Sequence, residues 1–160
     1  MQHASPVEVD LEVPTENLGR WQHQANDEPA APKDHFIIRD GVEFAGSHLL
    51  LDLYGAKHLD DIDRIEQAMR DCVEECGATL LHIHLHHFSP SGGVSGVAVL
   101  SESHISVHTW PERDYAAFDV FMCGDAQPEN SVAVLKRAFT PQRLAVSEEL
   151  RGRSDQSGMR

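Results

Sequence analysis

Between Ala78 and Gly124 four runs of strand-like sequence follow one another with only turns between them. ATLLHIHLHHF is followed by the turn SPSGG, then come GVSGVAVL, SHISVHTW and YAAFDVFMCG. Several alternate apolar with polar residues, and the β-branched Ile105 and Val107 suit a pleated surface. Parallel neighbours need a crossover of a dozen or more residues, whereas an antiparallel pair is joined by a tight turn. The run therefore argues for a largely antiparallel sheet.

On either side the pattern changes to strand–helix–strand. SHLLLDLYGA reads as a strand, and DDIDRIEQAMRDCVEECG reads as a helix with an acidic start and Gly77 at its stop. Ile62, Ile65, Met69, Cys72, Val73 and Cys76 fall on one face at helical spacing. PENSVAVLKRAF reads as a second helix with Pro128 near its start, and RLAVSEEL as a closing strand. The order β-α-β-β-β-β-α-β predicts an α+β two-layer sandwich, a mainly antiparallel sheet with two helices on one face. The other face of such a sheet must be covered. A second copy packed sheet to sheet would do so, giving a dimer with an α/β/β/α four-layer arrangement.

At 160 residues, the chain can bury a core without staples. Residues 1–45, with Pro6, Pro14, Pro29 and Pro32 and an excess of acid, carry no sustained period and read as a flexible extension, although FIIRDGVEF could dock as a short strand. The domain then spans 46–150, and 151–160 form a flexible tail. A net charge of −13 disfavours nucleic acid and anionic lipid as partners and favours a cationic small molecule. Cys72, Cys76 and Cys123 form neither a disulfide framework nor a zinc pattern. With no apolar span and no signal-like start, the expected location is the cytoplasm.

The chemistry gathers in LSESHISVHTWPE, Leu100–Glu112. A serine hydroxyl can attack the carbonyl of the residue before it, turning an amide into an ester where the backbone is strained and the oxyanion is stabilised. Removal of the serine Cα proton then expels the ester, and hydrolysis of the dehydroalanine leaves a pyruvoyl group at a new N-terminus. That sequence needs a serine at a turn, a base and donors. Ser103, His108 and Ser95 supply those types, and the glycines around Ser95 let backbones approach closely. Ser103 and His108 are an odd number of residues apart, so in a regular strand they face opposite ways. A bulge or turn must intervene if one is to serve the other directly.

GVSGVAVLSESHISVHTWPERDYAAFDVFMCG resembles the signature of the small prokaryotic S-adenosylmethionine decarboxylases, pyruvoyl enzymes made as proenzymes. The likeness extends upstream through GSHLLLDLYGA and CGATLLHIHLHHF and downstream to about Glu149. It departs at Arg113–Tyr115, where an aromatic–glycine–tyrosine is expected, and the stretch before GVSG is one residue longer. The resemblance implies cleavage between Glu102 and Ser103 into chains 1–102 and 103–160. Ser103 would become the covalent pyruvoyl cofactor, whose carbonyl takes the substrate amine as a Schiff base. It further implies that His108 accepts the Cα proton in processing, that Ser95 assists, and that Cys123 protonates the substrate carbon after CO₂ leaves. Glu112 would hold the ribose hydroxyls of S-adenosylmethionine, and Phe88 would stack on its adenine. No pyridoxal phosphate and no metal are expected.

Alternatives stand beside this reading. The same scaffold could decarboxylate ornithine or arginine, but Glu112 argues for a ribose. An unprocessed regulatory homologue would lack processing residues that this chain has, and a Ser–His hydrolase would need a nucleophile elbow. His82, His84 and His86 share one strand face, but same-face neighbours about 7 Å apart are widely spaced for ligands of one ion. Cys72 and Cys76 read as core, and Glu148–Glu149 as a solvated strand end.

Overall fold

The computed structural model describes residues 35–154. Most of the N-terminal extension and the last six residues lie outside the described residues, and so do the expectations of flexibility placed on them.

The described chain opens with a hairpin, β1 (Ile37–Arg39) and β2 (Val42–Phe44). Its turn is Asp40–Gly41, both at positive φ (53° and 78°), the pairing that suits the right-handed twist of a two-residue hairpin. The stretch expected as at most one short strand is thus two. It is tied down by Phe44, which is 1% exposed, by the Arg39 guanidinium over the Phe44 ring, and by an Arg39–Glu148 ion pair at 2.6 Å. Glu148 is therefore paired at its strand end, where a solvated side chain is the sequence expectation.

Six strands form the main sheet: β3 (Gly46–Tyr54), β4 (Leu80–His87), β5 (Val94–Leu100), β6 (Ser103–Trp110), β7 (Tyr115–Met122) and β8 (Arg143–Arg151). Their spatial order is β4-β5-β6-β7-β3-β8, and each neighbouring pair is antiparallel. The central meander follows from its short turns, as argued above. β3 and β8 join it through the helix-bearing connections.

Helix α1 (Ile62–Glu75) starts at Asp61, whose Oδ1 accepts from the Arg64 amide at 3.0 Å. It stops before Gly77, whose φ of +71° suits the left-handed position after a helix. Ile65, Ala68, Met69, Cys72 and Val73 are its buried stripe. Helix α2 (Asn130–Phe139) buries Val134, Leu135 and Phe139 and packs on α1. Both helices close over Leu49, Leu51 and Leu53 of β3, Ile105 and Val107 of β6, and Phe118 and Val120 of β7 to make a single core. Among the described residues, no helix is long and apolar enough to cross a membrane.

Strand alternation turns the remaining positions to the other face of the sheet. There His82, His84 and His86 of β4 lie beside Val99, Val97 and Ser95 of β5, then His104, Ser106 and His108 of β6, then Phe121, Asp119 and Ala117 of β7. Leu50, Val97, Val99 and Trp110 are exposed on it. At Gly96 an added Cβ would meet the His84 carbonyl oxygen at 2.3 Å, so only glycine lets β4 and β5 approach here.

Candidate active site

The residues singled out in the sequence fall into two groups at opposite ends of the sheet. At one end are Glu102, Ser103 and Cys123. Ser101 and Glu102 form the two-residue turn between paired Leu100 and Ser103, and Glu102 lies in the left-handed region at φ 58°. A residue with a Cβ is strained there by roughly 1–2 kcal/mol. The acyl carbonyl next to Ser103 thus belongs to a strained residue at a turn. Ser103 begins β6 and is buried, on the same alternation as Ile105 and Val107. Its Oγ accepts a hydrogen bond from the Cys123 backbone N–H at 3.2 Å.

Cys123 follows the last residue of β7, which antiparallel pairing returns to the start of β6. Burial pushes its thiol above the ordinary cysteine value, and the Glu102 carboxylate pushes the same way. The thiol is therefore held protonated, the form that can give up a proton. Burial also raises the Cys76 thiol, to about 11, and raises Cys72 further. Those two face α2, with Cys76 Sγ toward the Pro128 carbonyl, which is the core role expected of them.

At the other end are Ser95, His108, Glu112 and Phe88. The β5–β6 register sets Ser95 opposite His108, and Ser95 Oγ lies 2.8 Å from His108 Nδ1. Glu112 sits in the short 3₁₀ turn Pro111–Arg113 after β6 and is exposed. Phe88 follows β4, is 44% exposed, and meets the His86 ring edge-on at 4.6 Å. Trp110 stacks on Tyr115 beside them.

No bulge interrupts β6, so Ser103 and His108 keep the opposite faces that their spacing dictates. Five residues of strand separate them by about 17 Å. One chain brings Ser103 to Cys123 and Ser95 to His108, but it does not bring the two pairs together.

Two features were not legible in the sequence. On the open face, Asp119 accepts from Ser106 Oγ at 2.9 Å and faces His48 Nε2 at 3.4 Å, within ion-pair reach but not aligned as a hydrogen bond. His104 stacks on Phe121 beside them, and burial, then His48, lowers its pKa. The other feature is His35, whose Nδ1 lies 3.0 Å from Glu102 Oε2. It comes from a segment with no periodic signal, and only the fold-back of the β1–β2 hairpin carries it to the turn. Among the described residues, no group of three His, Cys, Asp or Glu side chains is arranged to hold a metal ion.

The first end sets a serine hydroxyl, held by an N–H donor, beside a strained acyl residue in a tight turn. A family model described as S-adenosylmethionine decarboxylase matches residues 47–152. The chain is 45% identical over 108 residues to the S-adenosylmethionine decarboxylase proenzyme of Thermomicrobium roseum, covering 67% of this chain and 93% of that protein. It is 47% identical over 110 residues to the proenzyme of the same name from Methanococcus maripaludis, covering 67% and 89%. In three dimensions it is similar to the adenosylmethionine decarboxylase of Aquifex aeolicus, with a TM-score of 0.63 and 30% identity over 73% of this chain and 98% of that one.

Proposed function

The chain belongs to the S-adenosylmethionine decarboxylase family, and from that membership we propose that its pyruvoyl cofactor is made from Ser103 by cleavage after Glu102. The reaction is the decarboxylation of S-adenosylmethionine by a pyruvoyl-dependent enzyme produced as a proenzyme, and it serves polyamine biosynthesis. What carries the assignment of Ser103 is its hydroxyl, held by the Cys123 N–H beside a left-handed Glu102.

Ser103 Oγ attacks the Glu102 carbonyl carbon. The C–N bond breaks, and the Ser103 nitrogen becomes a free amine. Removal of the Ser103 Cα proton breaks the Cβ–O bond and releases Glu102 as a carboxylate. The dehydroalanine left behind takes up water and loses ammonia. The Cys123 N–H offers a donor at this end, and left-handed strain at Glu102 is relieved when the chain is cut.

The group so formed supplies an electrophilic carbonyl for the substrate amine and a sink for the electrons of the breaking C–CO₂⁻ bond. Cys123, kept protonated by burial, delivers the proton that replaces CO₂. Glu112 accepts from the vicinal ribose hydroxyls. Phe88, with an exposed ring, offers its face to adenine.

His108 takes the Cα proton, with Ser95 holding its Nδ1. Its distance from Ser103 in one chain supports a dimer. Two copies joined through the open sheet face by a two-fold axis running across the strands would set the Ser95–His108 end of each against the Ser103–Cys123 end of the other. The exposed Leu50, Val97, Val99 and Trp110 give that face the apolar surface such packing needs.

Intact mass of the purified protein under denaturing conditions tests the cleavage, beside a Ser103→Ala variant. Two species, 1–102 and 103–160, are expected from the wild type, the second lighter than a serine start and blocked at its N-terminus. A single full-length species is expected from the variant. Release of CO₂ from S-adenosylmethionine, but not from ornithine or arginine, is the expected substrate pattern. A wild type that stays uncut would overturn the assignment of Ser103.

A further inference from the structure

Ahead of the region that matches the family stands His35, and it touches the turn at which the chain is cut. Its Nδ1 lies 3.0 Å from Glu102 Oε2. Its own carbonyl accepts from the Gly124 backbone N–H at 3.1 Å. One residue therefore grips both sides of the Ser103 end: the acyl side through the Glu102 carboxylate, and the thiol side through the residue after Cys123.

Gly124 is suited to this contact. Its φ is +61°, where a side chain would strain the backbone, and a Cβ there would stand in van der Waals contact with His35 Nδ1 at 3.4 Å. The grip is also backed from behind. His35 stands two residues before the β1–β2 hairpin, and that hairpin is fixed by buried Phe44, by the Arg39–Glu148 pair and by the Ala45 N–H on the Arg151 carbonyl. The imidazole is thus delivered by an anchored element, as a positioning group must be.

We propose that His35 is a positioning residue for self-cleavage, holding the Glu102 side chain so that the Glu102–Ser103 turn keeps its left-handed, attack-ready conformation. The idea rests on the cleavage site assigned above. A left-handed glutamate persists only where its surroundings over-determine it. Within β5 and β6 the pairing fixes Leu100 and Ser103 but leaves the Glu102 side chain at the tip. His35 supplies a contact there from outside the meander. With the imidazole gone, Glu102 can relax toward ordinary backbone angles, and the carbonyl swings away from Ser103 Oγ.

The test is the rate of self-cleavage of freshly synthesised full-length chain, followed by intact mass over time, for the wild type, His35→Ala and His35→Asn. Asparagine can put its Nδ2 where the histidine puts Nδ1. A slowing of about tenfold in His35→Ala, with most of the rate restored in His35→Asn, is expected. In a Ser103→Ala background, which stays uncut, the His35→Ala change should leave the melting temperature within a degree, separating a loss of positioning from a loss of fold. Wild-type rates in His35→Ala would overturn the proposal. So would equal slowing in both variants, or a large fall in melting temperature. A wild type that never cleaves would instead overturn the cleavage site itself, and this role with it.

Discussion

Cys123 illustrates how one position can serve two steps through different atoms. Its backbone N–H is on Ser103 Oγ, and its thiol stands free of that bond. In the proposed reaction the first contact belongs to the uncut chain, and the second group belongs to turnover. Cys123→Ser keeps the amide and weakens the proton donor. Self-cleavage should therefore go to completion in that variant, while decarboxylation falls by roughly 10²–10⁴-fold, the usual worth of a positioned acid. Intact mass and CO₂ release from the same sample separate the two effects, and a variant that fails to cleave would place the thiol in processing. The pH profile carries a sign as well. Burial first, and the Glu102 carboxylate second, raise the thiol above its usual value, so the proton-bearing form persists to higher pH than in a free cysteine. The limb of kcat due to Cys123 should lie on the alkaline side of the ordinary thiol range, near 8.5. A limb on the acidic side would mean that the thiolate is the working form.

At the scale of elements, the β1–β2 hairpin shows what pattern-reading reaches and where it stops. The meander, both helices and the closing strand are legible because their apolar residues recur at periods that only one backbone geometry satisfies: Ile65, Met69, Cys72 and Val73 on α1, and Leu49, Leu51 and Leu53 on β3. The separate ends of the candidate site were half legible. Odd spacing sets Ser103 and His108 on opposite faces, but which residue each one meets depends on strand register, which the hydrophobic pattern alone does not number. The hairpin has only three residues per strand, too few for a period, although Asp40–Gly41 carries a turn signal. His35 had no signal at all, since its partner is 67 positions away in a turn. Part of the hairpin's anchor, the Arg39–Glu148 pair, is electrostatic and should respond to acid. Hydrogen bonds from Arg39 first and Ser47 second hold the Glu148 carboxyl below its usual value. A carboxyl so lowered adds stability above its unfolded pKa of about 4.3, and that stability is lost as pH falls through the folded value. Arg39→Ala should lower the melting temperature at pH 7 by a small amount, under about 1 kcal/mol in stability because the pair is part-exposed, and by less at pH 3. Equal effects at both pH values would mean that Arg39 acts through its packing on Phe44.

For the molecule as a whole, the sheet has one face sealed by helices and one face that is open, and the chemistry divides along its length. Ser103 and Cys123 cannot reach Ser95 and His108 without a bend that β6 does not have. The same open face carries Leu50, Val97 and Val99, which a stable protein ordinarily covers. In the proposed dimer, a two-fold axis running across the strands would cover that face and lay the Ser103 end of each chain over the His108 end of the other. This makes a sharp expectation for mixed dimers. A Ser103→Ala chain and a His108→Ala chain should each fail to cleave rapidly when expressed alone. Expressed together, they should form dimers that pair the intact Ser103 end of one chain with the intact His108 end of the other. Cleavage should then return, and only in the chain that carries His108→Ala, because only that chain still has its own Ser103. Mass spectrometry distinguishes the two chains by their substitutions. Cleavage that stays absent in mixed dimers shown to have formed would mean that His108 serves the serine of its own chain, and that β6 must bend to let it.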